Sequence, residues 1–333
     1  MASLKVFLRS TLPFLVGIPI LLVAQRSLEA AGATAAVYEL VNIGIAVILA
    51  VSLNVVNGFT GQFSLGHAGF MAVGAYTSAK ITLALADVQL AFLPEAMSDH
   101  VIFAIALAAG MGMAALAGLL VGLPSLRLRG DYLAIVTLGF GEIIRSIIEN
   151  LKFLGQATGL SGLPKHTNLT RVGAGVIATV IMARRLSAST EGRALFAIRE
   201  DEIAAEAMGV DTVGYKVRAF VISSAYAGLA GGLLVHFLQL ATPRSFNFVK
   251  SIEVVVFVVL GGLGSITGSI ISAVTLTWLL ERLRGVDQYR MVGYAALLIV
   301  LMLARPQGLF GTRELWHLPV WKKLPWAKPG GAA

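Results

Sequence analysis

Side chains that could do chemistry are few in this chain, and they fall into three clusters. A glycine-rich stretch, NGFTGQFSLGHAGF at residues 57–70, holds a lone histidine, His67. A second cluster places charged residues between positions 142 and 152, and a third, EGRALFAIREDEIAAEAMG, occupies residues 191–209. None of them matches a Walker lysine loop, a nucleophile elbow or an HExxH zinc motif. The residues therefore favour binding or transport over catalysis, and they offer no set of metal ligands.

The composition places these clusters in a membrane protein. Of 333 residues, 57% are hydrophobic and 13% are charged, whereas about a quarter of the residues in soluble domains are charged. A chain of this size could not bury so much apolar surface in one or two cores, so a soluble globular protein is excluded. The absence of cysteine excludes a disulfide scaffold and thiol-ligated metal sites. The net charge of +8 favours basic cytoplasmic loops over nucleic-acid binding, because Lys and Arg lie between apolar runs.

The apolar runs predict an all-α, polytopic membrane protein with about eight to ten transmembrane helices. One long apolar region is broken by glycines, and we interpret it as a re-entrant pair: a short helix at 251–260, a turn at 261–264 and a helix at 266–283. Residues 1–304 are predicted to form the membrane domain, with a cytoplasmic coupling segment at 186–216 and a flexible tail at 305–333. The other predicted spans are 7–24, 36–56, 68–86, 101–123, 132–151, the short 172–183, 217–241 and 291–304.

The distribution of Lys and Arg predicts that both termini are cytoplasmic. The polar segment 184–216 and the tail 305–333 each contain several Lys and Arg residues, whereas the loop at 87–99 carries acidic residues and no Lys or Arg. The glycine-broken region must then cross the membrane an even number of times. A cleaved signal peptide at the N-terminus is the alternative, but its removal would leave an odd number of crossings before the segment 184–216.

Two glycine-rich breaks, one in each half of the chain, are the candidate translocation path. Irregular backbone at membrane depth survives only where it is buried in protein or lines a water-filled cavity. Paired glycine-interrupted segments are typical of transporter sites. Close packing of helices through glycine explains the same pattern, and both interpretations can hold together. The candidate path residues are Asn57, Gly61, Gln62, Ser64, Gly66 and His67 in the first break, and Gly262 and Gly264 in the second.

Each titratable site in the apolar spans has two interpretations. His67 could relay protons or bind a ligand, but we favour a neutral histidine that bonds backbone groups freed by the neighbouring glycines. Glu142, Arg145, Glu149 and Lys152 share one helical face. They could form a polar wall of the path, with Glu142 as the candidate path residue, or a network of ion pairs near the outer end of the helix.

The segment 191–209 predicts two short helices joined at Asp201, a good N-cap, with Gly209 ending the second helix in the left-handed region. Ile203, Ala207 and Met208 form an apolar strip. Such a pair is typical of a docking surface for a soluble partner, and the alternative is a solvated loop. The residues predicted to couple this chain to an ATPase are Gly192, Arg193, Arg199, Glu202, Ile203, Ala204, Ala205, Met208 and Gly209.

Six blocks of the sequence resemble the permease subunits of branched-chain amino acid ABC importers, in particular the larger of the two paired permeases. They lie in family order between residues 37 and 310 and read NGFTGQFSLGHAGFMAVGAYTSA, GDYLAIVTLGFGEIIR, TGLSGLP, AIREDEIAAEAMGV, AFVISSAYAGLAGGL and VLGGLGSITGSI. The third cluster is also similar to the ABC coupling motif, Glu-Ala-Ala-x-x-x-Gly. Ala204, Ala205 and Gly209 match that motif, whereas Ile203 stands at its Glu position and Glu202 lies one place earlier.

The resemblance implies a subunit with no enzymatic activity and no cofactor of its own, in the bacterial cytoplasmic (inner) membrane. It implies a second homologous permease, two cytoplasmic ATP-binding subunits that carry the ATP, and an extracytoplasmic binding protein that delivers leucine, isoleucine or valine. The lipid bilayer is the remaining partner, and no nucleic acid is implied. The alternatives are a related permease for urea or short amides, an ion-driven secondary transporter, and a passive channel.

Overall fold

The computed structural model describes residues 17–85, 95–125 and 131–283, together with Gly308, Leu309, Gly311 and Glu314. Its long elements are all helices, so the predicted fold class is confirmed. Helix α1 covers residues 17–30 of the described chain. The others are α2 (Thr34–Asn54), α3 (His67–Ala84), α4 (Glu95–Ser125), α5 (Asp131–Asn150), α6 (Leu169–Ala188), α7 (Thr190–Glu200), α8 (Glu202–Ala207), α9 (Thr212–Leu238), α10 (Phe248–Gly261) and α11 (Ile266–Arg282).

Three of the described helices are long and apolar enough to cross a bilayer individually. They are Thr34–Phe59, which is α2 with a π-helical turn at Val55–Phe59, Ser98–Ser125 in α4, and Thr212–Leu238 in α9. Helix α6 passes the same test only together with α7, from which it is bent by 73°. Ser189 caps α7 as a new helix by accepting a hydrogen bond from Gly192 N, so α6 and α7 are two separate helices joined at this bend.

The centre of the bundle is packed through small residues. A Cβ on Gly74 of α3 would lie 2.2 Å from the Cα of Gly228 in α9, and one on Gly110 of α4 would lie 2.7 Å from the carbonyl oxygen of Gly74. A Cβ on Gly231 would similarly lie 2.0 Å from the oxygen of Met71. Helices that approach this closely in an apolar environment are held by van der Waals contact between backbones. The packing of α3, α4 and α9 therefore determines the positions of the helix ends between which the irregular segments lie.

The bundle has two distinguishable ends. Strands β1 (Leu160–Ser161) and β2 (Leu240–Ala241) pair antiparallel and join the loop after α5 to the loop after α9. We call this the β1–β2 end, and the opposite end, where α6 meets α7, the α7–α8 end. Helices α10 and α11 form an antiparallel hairpin whose turn lies towards the α7–α8 end, because Gly264 contacts Arg199 of α7 there. The even number of membrane crossings in this region stays a prediction from the charge distribution.

Two sequence-based predictions need correction. The short span at 172–183 is part of α6, a 20-residue helix that Asn168 caps by accepting a hydrogen bond from Arg171 N. The apolar window ended at charged residues, whereas the helix continues through them. The tail, expected to be flexible from residue 305, is packed near its start, because Leu309 N donates to Leu260 O at 2.8 Å. The predicted span at 291–304, most of the tail, and residues 7–16 of the first span lie outside the described residues.

Candidate functional site: two glycine breaks and an attached helix pair

The first break is an irregular segment between α2 and α3, and residues at the end of α2 hydrogen-bond to it. Thr60 Oγ1 donates to Val56 O at 2.6 Å, and Ser64 N donates to Asn57 Oδ1 at 3.1 Å. Asn57, Gln62 and Ser64 are buried, whereas Gly61 is exposed at a φ of 70°. Side chains at the start of the break and the end of α2 therefore hydrogen-bond to the backbone here, as buried irregular backbone requires.

The far end of the first break lies against α5 and α10. Leu65 N donates to Thr137 Oγ1 at 3.0 Å, and Ala68 N donates to Ser251 Oγ at 3.1 Å. A Cβ on Gly66 would lie 2.5 Å from the carbonyl oxygen of Thr137, so only glycine permits this approach. The start of α3 is thus fixed by helices from both halves of the chain.

The second break is a tight turn between α10 and α11. Gly262 and Gly264 have φ values of 110° and 88°, which side-chain-bearing residues rarely adopt. Ser265 then caps α11 by accepting a hydrogen bond from Gly268 N at 3.0 Å. The carboxylate of Glu314 also accepts hydrogen bonds from Ile266 N at 2.6 Å and Thr267 N at 3.1 Å. The beginning of the tail therefore supplies a carboxylate that caps the start of α11.

The two breaks meet each other and α7 at one place. Asn54 Oδ1 at the end of α2 accepts a hydrogen bond from Gly264 N at 2.9 Å. Arg199 Nη1 of α7 donates to the carbonyl oxygens of Gly58 at 2.9 Å and Leu263 at 3.4 Å, one from each break. A Cβ on Gly61 would lie 3.1 Å from Arg199 Cγ. One side chain of the attached helix pair therefore holds both irregular segments at the α7–α8 end.

His67 is buried at the start of α3, and its partners differ from those expected. Its Nε2 lies 2.9 Å from Ser52 Oγ of α2. Ser52 Oγ also donates to Leu49 O, and Ser52 O accepts from Ser223 Oγ of α9 at 2.7 Å. The histidine therefore bonds α2 rather than backbone freed by the neighbouring glycines. Among the described residues no group of three or more His, Cys, Asp or Glu could hold a metal ion.

Glu142 belongs to an ion-paired row on α5 and to the wall of a cavity. Arg145 bridges Glu142 at 2.8 Å and Glu149 at 2.6 Å, as the spacing predicted, whereas Lys152 lies beyond the end of α5 in a separate 3₁₀ turn. The cavity has a volume of about 400 Å³. It is lined by Glu142, Arg145, Arg244, Asn247, Phe248 and Val249. The ion-pair network and the polar wall are therefore features of the same side chains.

The helix pair α7–α8 has the predicted capping. Asp201 Oδ1 accepts hydrogen bonds from Ile203 N at 2.9 Å and Ala204 N at 3.0 Å, and Gly209 has a φ of 84°. Glu202 pairs with the buried Lys216 Nζ at 2.5 Å, which ties α8 to α9. Gly192 lies at the bend after α6, where a Cβ would sit 2.1 Å from Leu186 O. These contacts make the pair a fixed projection of α6 and α9.

The outer surface of α8 presents exposed apolar side chains beside the exposed Glu206. Ile203 and Met208 are 68% and 84% exposed, and Ala204, Ala207 and Arg193 are also exposed. Ala205 differs, because it is 6% exposed and faces the chain's own interior. Its expected place in the docking surface is therefore wrong, since on a helix of one and a half turns only part of the strip can face outward.

Several residues of the site were not identified from the sequence. Thr137, Ser251, Arg244 and Glu314 each act on a segment far away in sequence, and no local pattern distinguishes them. The only available signals were weak ones: a small polar residue within an apolar span, and an acidic residue within a basic tail. Asn54 is visible in the sequence as a polar residue at the end of an apolar span, but its bond to Gly264 needs the tertiary structure.

Fold and site together define a polytopic helical membrane protein whose irregular segments connect to a projecting helix pair. The family model for the branched-chain amino acid transport system permease component matches residues 35–304, and this chain belongs to that family. It is 37% identical over 298 residues to the high-affinity branched-chain amino acid transport system permease protein LivM of Salmonella typhimurium, covering 79% of this chain and 67% of that protein. LivM of Escherichia coli K12 matches at the same identity and coverage.

A second kind of relative aligns with a shorter part of the chain. The permease protein LivH of Escherichia coli K12 is 35% identical over 130 residues, covering 38% of this chain and 42% of that protein. No solved structure matches the chain. The family and these relatives favour an importer permease over the urea, ion-driven and channel alternatives.

Proposed function

We propose that this chain is the membrane-spanning permease subunit of an ABC importer for leucine, isoleucine and valine in a bacterial cytoplasmic membrane. The names of its LivM and LivH relatives supply the substrate class. The similarity to both supports pairing with a second, homologous permease. The chain itself carries no ATP: two cytoplasmic ATP-binding subunits hydrolyse it, and an extracytoplasmic binding protein delivers the amino acid.

The observation that carries this proposal is Arg199. It lies on α7, beside the exposed apolar surface of α8, and donates to a carbonyl oxygen in each glycine break. A hydrogen bond from a charged donor is stronger than one between neutral groups. A displacement of α7 and α8 by a docked ATPase is thereby passed to both breaks at once. An ion-driven transporter or a channel has no need of this connection.

We also propose an orientation in which the α7–α8 end is cytoplasmic, because its loops are rich in Arg and the proposed ATP-binding subunits would dock there. The start of the tail packs on the second break at this end, which supports a cytoplasmic C-terminus. The proposal of a cytoplasmic N-terminus rests on the distribution of Lys and Arg alone. The β1–β2 end is extracytoplasmic and faces the binding protein.

The breaks form the cytoplasmic part of the path as well as a packing contact. The amide nitrogens of Asn54 and Asn57 are buried and have no hydrogen-bond partner in the described part of the chain. Buried polar groups normally have partners, so unpaired donors next to a break favour a route that passing polar groups use. Asn57, Gln62 and Ser64 are the polar side chains on this route, and Gly61, Gly66, Gly262 and Gly264 shape its backbone.

The test uses the assembled complex in proteoliposomes, with ATP on the cytoplasmic side and the binding protein outside. Arg199→Gln should keep the ATP-binding subunits bound but lower the leucine imported per ATP hydrolysed by roughly tenfold, the effect of a lost charged hydrogen bond. Met208→Glu should instead weaken co-purification of the ATP-binding subunits, because it places a charge on the apolar docking surface.

The matched control is Arg185→Gln, which removes an exposed arginine near the end of α6 that touches neither break. It should leave both measurements unchanged. Uptake of leucine without ATP, or Arg199→Gln and Met208→Glu variants that behave like the parent protein, would contradict the coupling role. The importer assignment would then lose its structural support.

A further inference from the structure

The cavity at the β1–β2 end combines three kinds of surface in one place. Glu142 and Arg145 form one wall, Arg244 lies in the turn after β2, and Phe248 and Val249 of α10 are the apolar part. Its volume of about 400 Å³ lies in the range of small-molecule sites. The sequence analysis identified Glu142 as a path residue but did not identify the cavity or Arg244.

The charges around the cavity are unequal on its two sides. On α5, two carboxylates, Glu142 and Glu149, share one guanidinium, Arg145, which leaves one net negative charge. On the other side, the exposed Arg244 has no hydrogen-bond or ion-pair partner for its side chain among the described residues. The nearby cation Lys250 is already paired with Glu253 at 3.0 Å. The cavity is therefore lined by an ion-paired cluster on α5 that carries one excess negative charge and by one arginine, Arg244, without a partner in the described part of the chain.

The cavity also leads to the first break. A second, much smaller space of about 10 Å³ shares Glu142, Asn247 and Phe248 with the cavity and is also lined by Leu65 and Gly69. These two residues lie on either side of the start of α3. The cavity therefore lies beside the first break, and passage of an amino acid between them requires this space to widen.

We propose that this cavity is a binding station for the free amino acid on its way into the path, an inference that rests on the proposed function. Glu142 receives the α-ammonium group, Arg244 receives the α-carboxylate, and Phe248 and Val249 contact the branched apolar side chain. A carboxylate and a guanidinium suit these two groups because charged hydrogen bonds are the strong ones. The ligand class is an L-α-amino acid zwitterion with an aliphatic side chain.

The first test measures the maximal rate of ATP-driven L-leucine uptake by the complete complex at saturating binding protein. Arg244→Gln and Glu142→Gln should each lower this rate by roughly tenfold, whereas Arg244→Lys should lower it less because it keeps the charge. The control is Lys165→Gln, which removes an exposed cation of the loop before α6, away from the cavity. It should leave the rate unchanged. Arg244 is itself exposed, so its replacement does not threaten the fold.

The second test locates the amino acid with a diazirine analogue of leucine that keeps its ammonium and carboxylate groups. Irradiation during turnover should label the peptide that contains Phe248 and Val249, and excess leucine should prevent the labelling. Arg244→Gln should remove this labelling while the binding protein remains labelled. The same variants are checked for affinity of the complex for the purified binding protein.

Several outcomes would overturn the inference. If uptake and labelling are unchanged in both Gln variants while the parent complex imports leucine with ATP, the proposed function stands and the station does not exist. If Arg244→Gln weakens the binding protein's affinity in proportion to uptake, Arg244 is a docking contact. If labelling depends on phosphatidylethanolamine in the bilayer and not on Arg244, the cavity holds a lipid headgroup, which is also zwitterionic. If the parent complex imports no leucine, the proposed function fails, and this inference with it.

Discussion

The two glycine breaks both contact Arg199, but they depend on glycine for different reasons. In the first break Gly66, with a φ of −90°, is needed because the backbone of α5 lies where its Cβ would be. In the second break Gly262 and Gly264 adopt left-handed conformations that make a tight turn. The first break is limited by volume and the second by backbone conformation. The two breaks have a similar glycine-rich sequence, but glycine is required for its small volume in the first and for its backbone conformation in the second.

The helices that follow the breaks are also held differently. Helix α3 begins without a side-chain cap, and its Ala68 N is bonded to Ser251 of α10. Helix α11 is capped by Ser265 and by the carboxylate of Glu314 from the tail. The first break is thus tied to helices that line the proposed path, and the second to the start of the tail. Substitutions in the first should affect assembly of the bundle, and substitutions in the second should affect the local turn.

The largest effect is expected from Gly66→Leu. Its Cβ would lie 2.5 Å from Thr137 O, a backbone atom in the middle of α5 that cannot move without displacing the helix. We expect loss of leucine uptake and of monodisperse complex after extraction from the membrane. Gly139→Leu is the matched control, because nothing lies within 4 Å of a Cβ at that position of α5. Normal uptake by Gly66→Leu would show that the first break is not buried as described.

A smaller but clear effect is expected from Gly262→Ala. A non-glycine residue at this φ costs roughly 1–3 kcal/mol, and the added Cβ would lie 2.4 Å from Gly311 O. Thermal unfolding of the purified complex should shift to a lower temperature, although the protein still assembles. Gly112→Ala in α4, with nothing within 4 Å, should leave stability unchanged or raise it by up to about 1 kcal/mol. Equal behaviour of the two variants would contradict a conformational requirement in the second break.

The sequence was sufficient to predict elements but not the contacts between them. The presence of most helices, the Asp201 cap, the Gly209 stop and the turn at 261–264 follow from local rules about periodicity, capping and glycine, whereas the extent of α6 does not. The bond from Arg199 to Gly58 joins residues 141 positions apart, and that from Asn54 to Gly264 joins residues 210 apart. Such partners depend on how helices pack, and periodicity carries no information about that. Ala205 shows the same limit, because six helical residues do not define which face is outward.

The tail's contribution to the second break can be tested with Glu314→Ala. This carboxylate accepts hydrogen bonds from two backbone N–H groups at the start of α11, where a negative charge also favours the helix dipole. Its removal should cost about 1 kcal/mol, the usual value of a capping interaction. Glu314→Gln, which keeps an acceptor oxygen, should lose less. Thermal unfolding that is identical for the parent and both variants would show that the tail does not hold this turn.

The smallest effect is expected at the one titratable residue of the first break, and it separates the two interpretations of His67. Residues 261–265 of the second break contain no titratable side chain, so a proton relay would make the breaks functionally unequal. In the structure His67 contacts the hydroxyl of Ser52, and Ser52 is bonded to α2 and α9, which is the environment of a structural histidine.

His67→Gln keeps a group that can hydrogen-bond this hydroxyl. It should lower stability by about 1 kcal/mol, the worth of one hydrogen bond, and should leave ATP-driven leucine uptake within about twofold of the parent between about pH 6 and 8. Ser52→Ala, which removes the partner and leaves the imidazole, should have a similar effect on stability. If His67→Gln instead abolishes uptake while Ser52→Ala does not, the imidazole itself is required, and proton movement through the first break becomes the better explanation.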